Sequence, residues 1–292
     1  MLLHRLIWTF IIPCYDILMM EYTVMTQNHS ATIIIAFYKR LDFLERIFEG
    51  LKYQSRKDFE VIVAEDDNSQ LTNNFIEEKQ PDLPFQVKHV SHEDKGFRKN
   101  RILNEALKIA SSSKIIFLDG DCIPHRHFVK HYCDHIKKGT SYFGRRVMLG
   151  EKFTSKLLRQ QKTRSLQILS LLFSDSGRIE DGLYLPWYKE AKKGYRGIWG
   201  CNWGISRQDL FEINGFDEDY IYASVGEDKD IEWRLRLNGI QFRSLKHKAI
   251  VYHMHHKENY SNEAFLINNS LFEEKKKLQK AKCWNGLEKI TK

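Results

Sequence analysis

Cysteine is scarce in this sequence, and its five copies stand scattered at positions 14, 122, 133, 201 and 283, with no Cys-x-x-Cys spacing. This pattern excludes a disulfide framework and a cysteine-based zinc site, and it indicates reduced thiols in a cytoplasmic protein. Internal repeats and low-complexity blocks are absent as well.

A long uninterrupted apolar run is also missing. Leu2 to Met20 is rich in apolar residues, but a histidine, an arginine, a proline and an aspartate interrupt it. A membrane-spanning helix needs about 20 predominantly apolar residues, and no small-residue cleavage site of a signal peptide follows. We therefore expect residues 1–30 to be a leader of uncertain structure or the product of a misassigned start, and a peripheral membrane anchor stays open.

The composition is that of a soluble globular protein with an excess of positive charge. Of 292 residues, 42% are hydrophobic and 29% are charged, and the formal net charge is +8. Such an excess favours anionic partners, namely nucleotide phosphates, nucleic acid or an acidic membrane surface. Because the lysines are dispersed and no nucleic-acid-binding motif accompanies them, we expect no nucleic-acid partner.

Apolar runs of strand length alternate with segments of helical periodicity. Strands are predicted at 32–37, 59–64, 85–90, 115–118 and 249–252, and helices at 41–51, 73–79, 102–110, 128–136, 155–173, 207–213 and 227–237. This alternation predicts a single-domain α/β fold with a mostly parallel central sheet, flanked by helices and joined by right-handed crossovers.

The sequence Asp119-Gly120-Asp121 directly follows one of these predicted strands. Ligands of open parallel sheets bind just beyond the carboxyl ends of the strands. Paired carboxylates there suit a hard divalent cation that also holds phosphate oxygens. An isolated Asp-Gly-Asp is more often an ordinary acidic turn, so the assignment depends on the rest of the chain.

Four motifs in this order resemble the family 2 glycosyltransferases of the GT-A fold, over about residues 31–258. They are the first strand, Glu65-Asp66-Asp67-Asn68-Ser69, Asp119-Gly120-Asp121 and Gly226-Glu227-Asp228. The run from Asn202 to Asp230 is similar to the C-terminal region of galactosyltransferase-like members. The resemblance implies a nucleotide-sugar half at 31–125 and an acceptor half at 126–258, followed by a basic helical tail at 259–292.

The resemblance also implies a site for the nucleoside-diphosphate sugar. Asp67 is expected to accept a hydrogen bond from uracil N3, and Tyr38 to lie against the base. Arg98 and Arg101, at the start of a helix, are expected to contact the diphosphate, unless they are solvated charges. The full predicted set is Ala36, Tyr38, Arg40, Asp67, Arg98, Arg101, Asp119 and Gly120.

A metal site is implied beside it. Asp121 is the expected direct ligand, with Asp119 near it, and a histidine after the last strand completes the set. His253 and His256 are both candidates, and the sequence does not distinguish them. Carboxylate and imidazole together suit Mn²⁺, and Mg²⁺ less well.

On the acceptor side, the resemblance makes Asp228 the catalytic base and Glu227 an acceptor contact. Both open a predicted helix, whose dipole is expected to keep the pKa of such a carboxyl low. The aromatic loop before the fourth motif adds Trp199, Asn202 and Trp203 as acceptor contacts. Aromatic side chains belong more often to the core, so sugar stacking is only slightly favoured.

The resemblance implies a metal-dependent, inverting transferase that moves a sugar from a UDP-linked donor to a saccharide or lipid-linked acceptor in surface polysaccharide synthesis. It is expected in the cytoplasm, and a peripheral contact with anionic membrane stays open. Two alternatives stay open: a catalytically inactive relative that binds sugar nucleotides, and a nucleotidyltransferase. The latter is disfavoured because no glycine follows the first strand.

Overall fold

The structure is a computed structural model that describes residues 29–160, 166, 168–189, 197–223, 227–257 and 261–291. The predicted leader at 1–30 lies almost entirely outside the described residues. Ten strands and nine α-helices are described within those ranges, together with two short 3₁₀ turns.

The strands form two sheets. Their bounds are β1 Ala31–Phe37, β2 Phe59–Glu65, β3 Gln86–Ser91, β4 Lys114–Asp119, β5 Cys122–Pro124, β6 Thr140–Phe143, β7 Arg145–Met148, β8 Asn202–Ser206, β9 Gln241–Ser244 and β10 Ile250–His253. The main sheet has the order β3-β2-β1-β4-β8-β6-β9, and the smaller one the order β5-β10-β7. Strands β1 to β4 are parallel to one another, whereas β8 is antiparallel to both of its neighbours. The predicted α/β fold with a mostly parallel central sheet is confirmed.

The helices connect these strands and cover the sheet. They are α1 Leu41–Lys52, α2 Gln70–Lys79, α3 Lys99–Ile109, α4 Phe128–His135, α5 Glu151–Gln160, α6 Ile168–Leu172, α7 Arg207–Glu212, α8 Glu227–Leu237 and α9 Asn262–Lys277. The predicted helix at 155–173 corresponds to α5 and α6, with residues 161–165 and 167 outside the described part. In the described part of the chain, no helix is both long and apolar enough to cross a membrane.

The core lies on both faces of the main sheet, which explains the continuous apolar runs of β1, β2 and β4. Ile33 and Ile35 of β1 belong to one buried cluster, and Ile34, which points the other way, belongs to the second. Successive side chains of a strand point to opposite faces, so a strand covered on both sides needs apolar residues throughout.

The C-terminal segment packs against the domain, although a solvated basic tail was predicted. The amide of Asn268 in α9 is buried and donates to the carbonyl of Tyr222 at 2.9 Å. Lys275 forms ion pairs with Asp217 and Asp219. The lysines of this helix are therefore partly engaged within the fold.

Candidate active site

Strands β1 and β4 run side by side, and both end at the same edge of the main sheet. Ala36 of β1 lies opposite Asp119 of β4 in the parallel register. The N–H of Gly120 donates to the carbonyl of Ala36 at 2.7 Å. A Cβ at position 120 would lie 2.7 Å from that same oxygen, so only glycine allows this close approach. The turn between the two aspartates is thereby fixed against the first strand.

Asp121, His253 and His256 come together beyond this turn. Oδ2 of Asp121 lies 3.3 Å from Nε2 of His253 and 3.0 Å from Nε2 of His256. One ligand atom from each of the three residues lies within 4.8 Å of the other two. One carboxylate and two imidazoles form a donor set that fits Mn²⁺ and other transition-metal dications. The two histidines that the sequence could not separate thus lie in the same cluster.

Backbone pairing holds these residues in place, since they are far apart in sequence. His253, the last residue of β10, pairs with Cys122 of β5, the residue after Asp121. The N–H of Met254 donates to the carbonyl of Asp121 at 2.8 Å. The ligand-bearing segments are therefore part of one small sheet.

In this cluster, the carboxylate and the imidazoles stabilise each other's charged forms. Burial by itself would raise the pKa of Asp121, but the hydrogen bonds with His253 and His256 outweigh it and hold that pKa well below its usual range. The same contact with Asp121 raises the pKa of His256. The carboxylate is therefore ionised at neutral pH, as a metal ligand must be.

Asp119 has a different partner, Lys99, which sequence reasoning missed. Nζ of Lys99, in the first turn of α3, lies 3.0 Å from Oδ1 of Asp119. The metal ligation predicted for Asp119 stays a prediction, since the cluster described above does not include it. A lysine at a helix start gives no sequence signal of such a contact.

Asp228, the predicted base, is held by a backbone amide. Its Oδ2 accepts a hydrogen bond of 2.8 Å from the N–H of Gly200. Burial raises the pKa of Asp228, and the charge of Lys99 only partly opposes this effect. The low pKa predicted from the helix dipole is therefore wrong in direction, because desolvation outweighs the helix start. A carboxylate with a raised pKa is the stronger proton acceptor once ionised.

One small pocket connects the two halves of the site. Its lining includes Ala36 and Asp119 from the nucleotide half, Lys99 from α3, and Gly200 and Asp228 from the acceptor half. The predicted base and the end of β4 thus face a common space. The side chain of Glu227 lies outside what the structure describes, and only its position as the first residue of α8 is known.

The two adjacent aspartates after β2 differ in their surroundings. Asp66 is buried and accepts from the N–H of Arg98 at 2.8 Å, and it contacts Nε2 of His92 at 2.6 Å. Asp67 is more accessible, with Oδ1 on the N–H of Asn68 and Oδ2 3.8 Å from Nζ of Lys39. Asp67 is thus the more accessible member of the pair, and its hydrogen bond to a base stays a prediction.

Tyr38 and Arg40 lie on the loop that follows β1. The side chain of Tyr38 is 51% exposed, and its hydroxyl donates to Asp94 at 3.2 Å. Arg40 pairs with Asp42 at 2.7 Å. Tyr38 is therefore open to a ligand, while Arg40 would have to leave its partner.

Arg98 and Arg101 line a separate cavity. This cavity, of about 360 Å³, also includes Tyr220 and Lys289 in its lining. The side chain of Arg98 donates to the carbonyl of Glu93. Neither arginine is in the lining of the pocket at Asp119, and their diphosphate contact stays a prediction.

Two predicted acceptor contacts belong to the interior. Trp203 is 1% exposed, with its ring stacked on Phe117 at a centroid distance of 4.5 Å. The amide of Asn202 is buried and donates at 3.0 Å to the carbonyls of Arg145 and Ala249. The amide of Asn202 is thus engaged within the protein, whereas the buried ring of Trp203 also lines the pocket that contains Asp119 and Asp228. The acceptor contacts of both residues stay predictions. Trp199 is only partly buried.

Comparison with protein families gives two matches along the chain. Residues 32–210 match the model of glycosyl transferase family 2. Residues 187–257 match a model described as the N-terminal domain of galactosyltransferase. The two matches overlap and together include every element from β1 to β10.

Curated relatives are similar over most of this chain. A validoxylamine A glucosyltransferase of Streptomyces hygroscopicus subsp. jinggangensis is 22% identical over 258 residues, which cover 82% of this chain and 58% of the relative. The uncharacterized glycosyltransferase YfnE of Bacillus subtilis is 26% identical over 263 residues, which cover 79% of this chain and 66% of the relative. The chain thus spans about three fifths to two thirds of the length of these relatives.

Solved structures share the fold. S. aureus TarS 1-349 in complex with UDP aligns with a TM-score of 0.56 and 18% identity, over 83% of this chain and 64% of that one. The mannosyltransferase PcManGT from Pyrobaculum calidifontis, in complex with GDP-Man and Mn²⁺, aligns with a TM-score of 0.52 and 17% identity, over 83% of this chain and 61% of that one.

Proposed function

Because the chain belongs to glycosyl transferase family 2, we propose that it is a metal-dependent, inverting glycosyltransferase that uses a nucleoside-diphosphate sugar, most simply a UDP-sugar. The proposed acceptor is a hydroxyl of a saccharide or a lipid-linked saccharide in surface polysaccharide synthesis. The observation that carries the proposal is the pocket shared by Asp119, Lys99 and Asp228, next to the cluster of Asp121, His253 and His256.

The cluster of Asp121, His253 and His256 would hold the divalent cation. When bound, such an ion neutralises the negative charge that develops on the departing diphosphate. The mannosyltransferase with a similar fold is described with GDP-Man and Mn²⁺, which supports a nucleotide-sugar donor and a divalent cation for this chain. Lys99, 3.0 Å from Asp119, adds a positive charge at the same place.

Asp228 is the proposed base. Gly200 orients its carboxylate through the hydrogen bond to Oδ2, and the carboxylate then takes the proton of the attacking hydroxyl. Removal of that proton by a positioned base contributes about 10²–10⁴-fold to a reaction rate. Because the hydroxyl attacks from the face opposite the leaving diphosphate, a single displacement inverts the anomeric configuration.

The experiment is an assay of nucleoside diphosphate release with Mn²⁺, across a panel of UDP-sugars and GDP-mannose. We expect one UDP-sugar to give release above the rate without enzyme, and Asp121→Ala to abolish it. Release from GDP-mannose alone would overturn the UDP assignment. Absence of release and of Mn²⁺-dependent UDP binding in the wild-type protein would overturn the proposed function, whereas binding without release would favour the inactive relative.

A further inference from the structure

We propose that Trp199, Arg146 and Arg178 form a binding subsite for an anionic group of the acceptor, a phosphate or a carboxylate. This inference rests on the proposed function, and it names the chemical class of the acceptor. Arg145, which is buried, contacts the same indole ring.

Three guanidinium groups surround the ring of Trp199. The guanidinium carbons of Arg178, Arg146 and Arg145 lie 4.6, 5.0 and 5.3 Å from the ring centroid. Each distance lies within the range of a cation–π contact. Three like charges around one indole repel one another, and cation–π contacts of about 0.5–2 kcal/mol do not remove that repulsion. Asp181 pairs with Arg178, and the charges of Asp119 and Asp121 act on Arg146. An anion bound among the three arginines would offset the positive charge that remains.

Arg146 has hydrogen-bonding capacity that the protein leaves unused. Its Nε is buried and has no hydrogen-bond partner among the residues that the structure describes. Its Nη1 lies 3.7 Å from Sγ of Cys201, a weak acceptor. A buried donor without a partner has a free-energy cost of about 1–3 kcal/mol. A phosphate or carboxylate oxygen would satisfy it, since guanidinium binds both groups with two parallel hydrogen bonds.

Arg178 is held in an unusual backbone conformation. Its φ is +55° and its ψ is +38°, in the left-handed region that few residues other than glycine and asparagine adopt. Its Nη2 lies 3.0 Å from Oδ2 of Asp181, which fixes one edge of the guanidinium. Strained backbone of this kind persists where the surrounding structure enforces it, and it is concentrated at binding sites.

The subsite is continuous in sequence with the acceptor side of the pocket. Trp199 directly precedes Gly200, whose N–H orients the proposed base Asp228. The acceptor hydroxyl must lie within hydrogen-bond reach of that base. The donor diphosphate already has positive partners, namely the cation at Asp121 and the amine of Lys99 next to Asp119. A second anion, carried by the acceptor, therefore fits the arginines around Trp199 better.

Methyl phosphate is the probe for the test, because it has the anionic group without a sugar. Its affinity is measured by calorimetry on the full chain, first alone and then with saturating UDP and Mn²⁺ to fill the donor site. We expect the wild-type protein to bind methyl phosphate in both conditions. Arg146→Gln and Arg178→Asn should each weaken this binding about tenfold or more.

The variants are chosen to keep the fold. Asparagine tolerates the left-handed conformation at position 178, and Arg178→Lys keeps the charge but loses the planar fork. Arg243→Gln is the matched control, because Arg243 lies on β9 at the edge of the main sheet and its Nη2 donates only to Gln241 at 3.3 Å among the contacts described. Its removal should not change the affinity for methyl phosphate.

Two results would overturn the inference. One is an affinity for methyl phosphate that Arg146→Gln and Arg178→Asn leave unchanged, or no binding to the wild-type protein. The other is an equal loss of UDP–Mn²⁺ affinity in both variants, which would assign the arginines to the donor diphosphate. Failure of the proposed function would be seen separately, as absent UDP binding and release in the wild-type protein.

Discussion

Gly200 and Asp228 are in direct contact, with the N–H of Gly200 donating to Oδ2 of Asp228 at 2.8 Å. A Cβ at position 200 would lie 2.6 Å from Oδ1 of the same carboxylate. The glycine therefore both binds the proposed base and leaves the space that the base occupies. Asp228 has its present orientation only because residue 200 has no side chain.

Gly200→Ala should lower the rate of transfer with little effect on folding. The added methyl group meets the end of a flexible side chain, so Asp228 turns away and the backbone stays. We expect kcat to fall at least tenfold, because a misplaced base loses much of its contribution of about 10²–10⁴, while the thermal midpoint changes by a few degrees at most. Gly177→Ala, where a Cβ meets nothing within 4 Å, is the control. Equal kcat values for the two variants would contradict the assigned orientation of Asp228.

The central strands were predictable from the sequence, because burial on both faces requires unbroken apolar runs. Strands β1, β2 and β4 have such runs, and the structure confirms them. Strands β6, β7 and β9 have four residues each. Unlike the equally short β10, they lack a continuous apolar run, so only the neighbouring strands of the folded sheet define them.

The site was predictable to the extent that its residues follow strand ends. Asp121 follows β4, His253 ends β10 and His256 follows it, and the structure brings all three together. The environment of Lys99 and the burial of Trp203 depend on distances across the fold, which sequence spacing does not contain. Trp203 stands next to Asn202 in a family-like motif, yet all of β8 is buried, because this strand lies between β4 and β6 inside the main sheet.

Asp228→Asn should abolish base catalysis and keep the donor site. The amide has the shape of the carboxylate and can still accept from Gly200, but it cannot take a proton at neutral pH. We expect the transfer rate to fall about 10²–10⁴-fold, with the Mn²⁺-dependent affinity for UDP within a factor of two of the wild-type value. Near-normal turnover by this variant would show that Asp228 is not the catalytic base.

The same variant should be more stable than the wild-type protein at pH 7. Burial raises the pKa of Asp228, so above pH 4 the folded state binds more protons than the unfolded state, and the free energy of unfolding falls as pH rises. The asparagine amide does not ionise, so the variant does not lose this free energy as pH rises. Thermal unfolding in the presence of a chelator should therefore give the variant a higher midpoint than the wild-type protein at pH 7, and the difference should shrink towards pH 4.

Asp175→Asn is the control, because we expect it to change the thermal midpoint in the opposite direction. Burial by itself would raise the pKa of Asp175, but hydrogen bonds from the N–H groups of Lys152 and Phe153 outweigh it and hold that pKa below its usual value. Its charge therefore stabilises the fold at pH 7, and the amide should lower the midpoint. A lower midpoint for Asp228→Asn as well would show that the carboxylate of Asp228 stabilises the fold.

Removal of any one metal ligand should weaken the cation site. Asp121→Ala should abolish the gain in UDP affinity that Mn²⁺ produces, and His253→Ala and His256→Ala should each reduce Mn²⁺ affinity at least tenfold, since only two ligands of the cluster remain. Calorimetry with Mn²⁺ alone and with UDP measures both effects. His255→Ala is the matched control, because this exposed histidine lies between the two ligands in sequence but outside the cluster. An unchanged Mn²⁺ affinity in His256→Ala would show that His256 is not a ligand of the cation.

A peripheral membrane contact would use α6 and its surroundings. Leu169, Leu172 and Phe173 are 65%, 56% and 92% exposed, and the basic α5 precedes them. Basic residues near an anionic surface contribute about 1 kcal/mol each, and salt weakens this attraction. We expect binding to anionic vesicles that falls steeply with salt and is reduced by Phe173→Ser, measured by sedimentation. Equal sedimentation with neutral and anionic vesicles would contradict the contact.

The pairing of β10 with β5 has a consequence for how the cation associates. Because the N–H of Met254 is bonded to the carbonyl of Asp121 and His253 is part of the ladder, the backbone that carries these two ligands is held by hydrogen bonds that do not involve the ion. We therefore expect the cation to bind without a folding step of this backbone. Amide hydrogens of Cys122 and Met254 should accordingly exchange slowly with solvent even in the presence of a chelator.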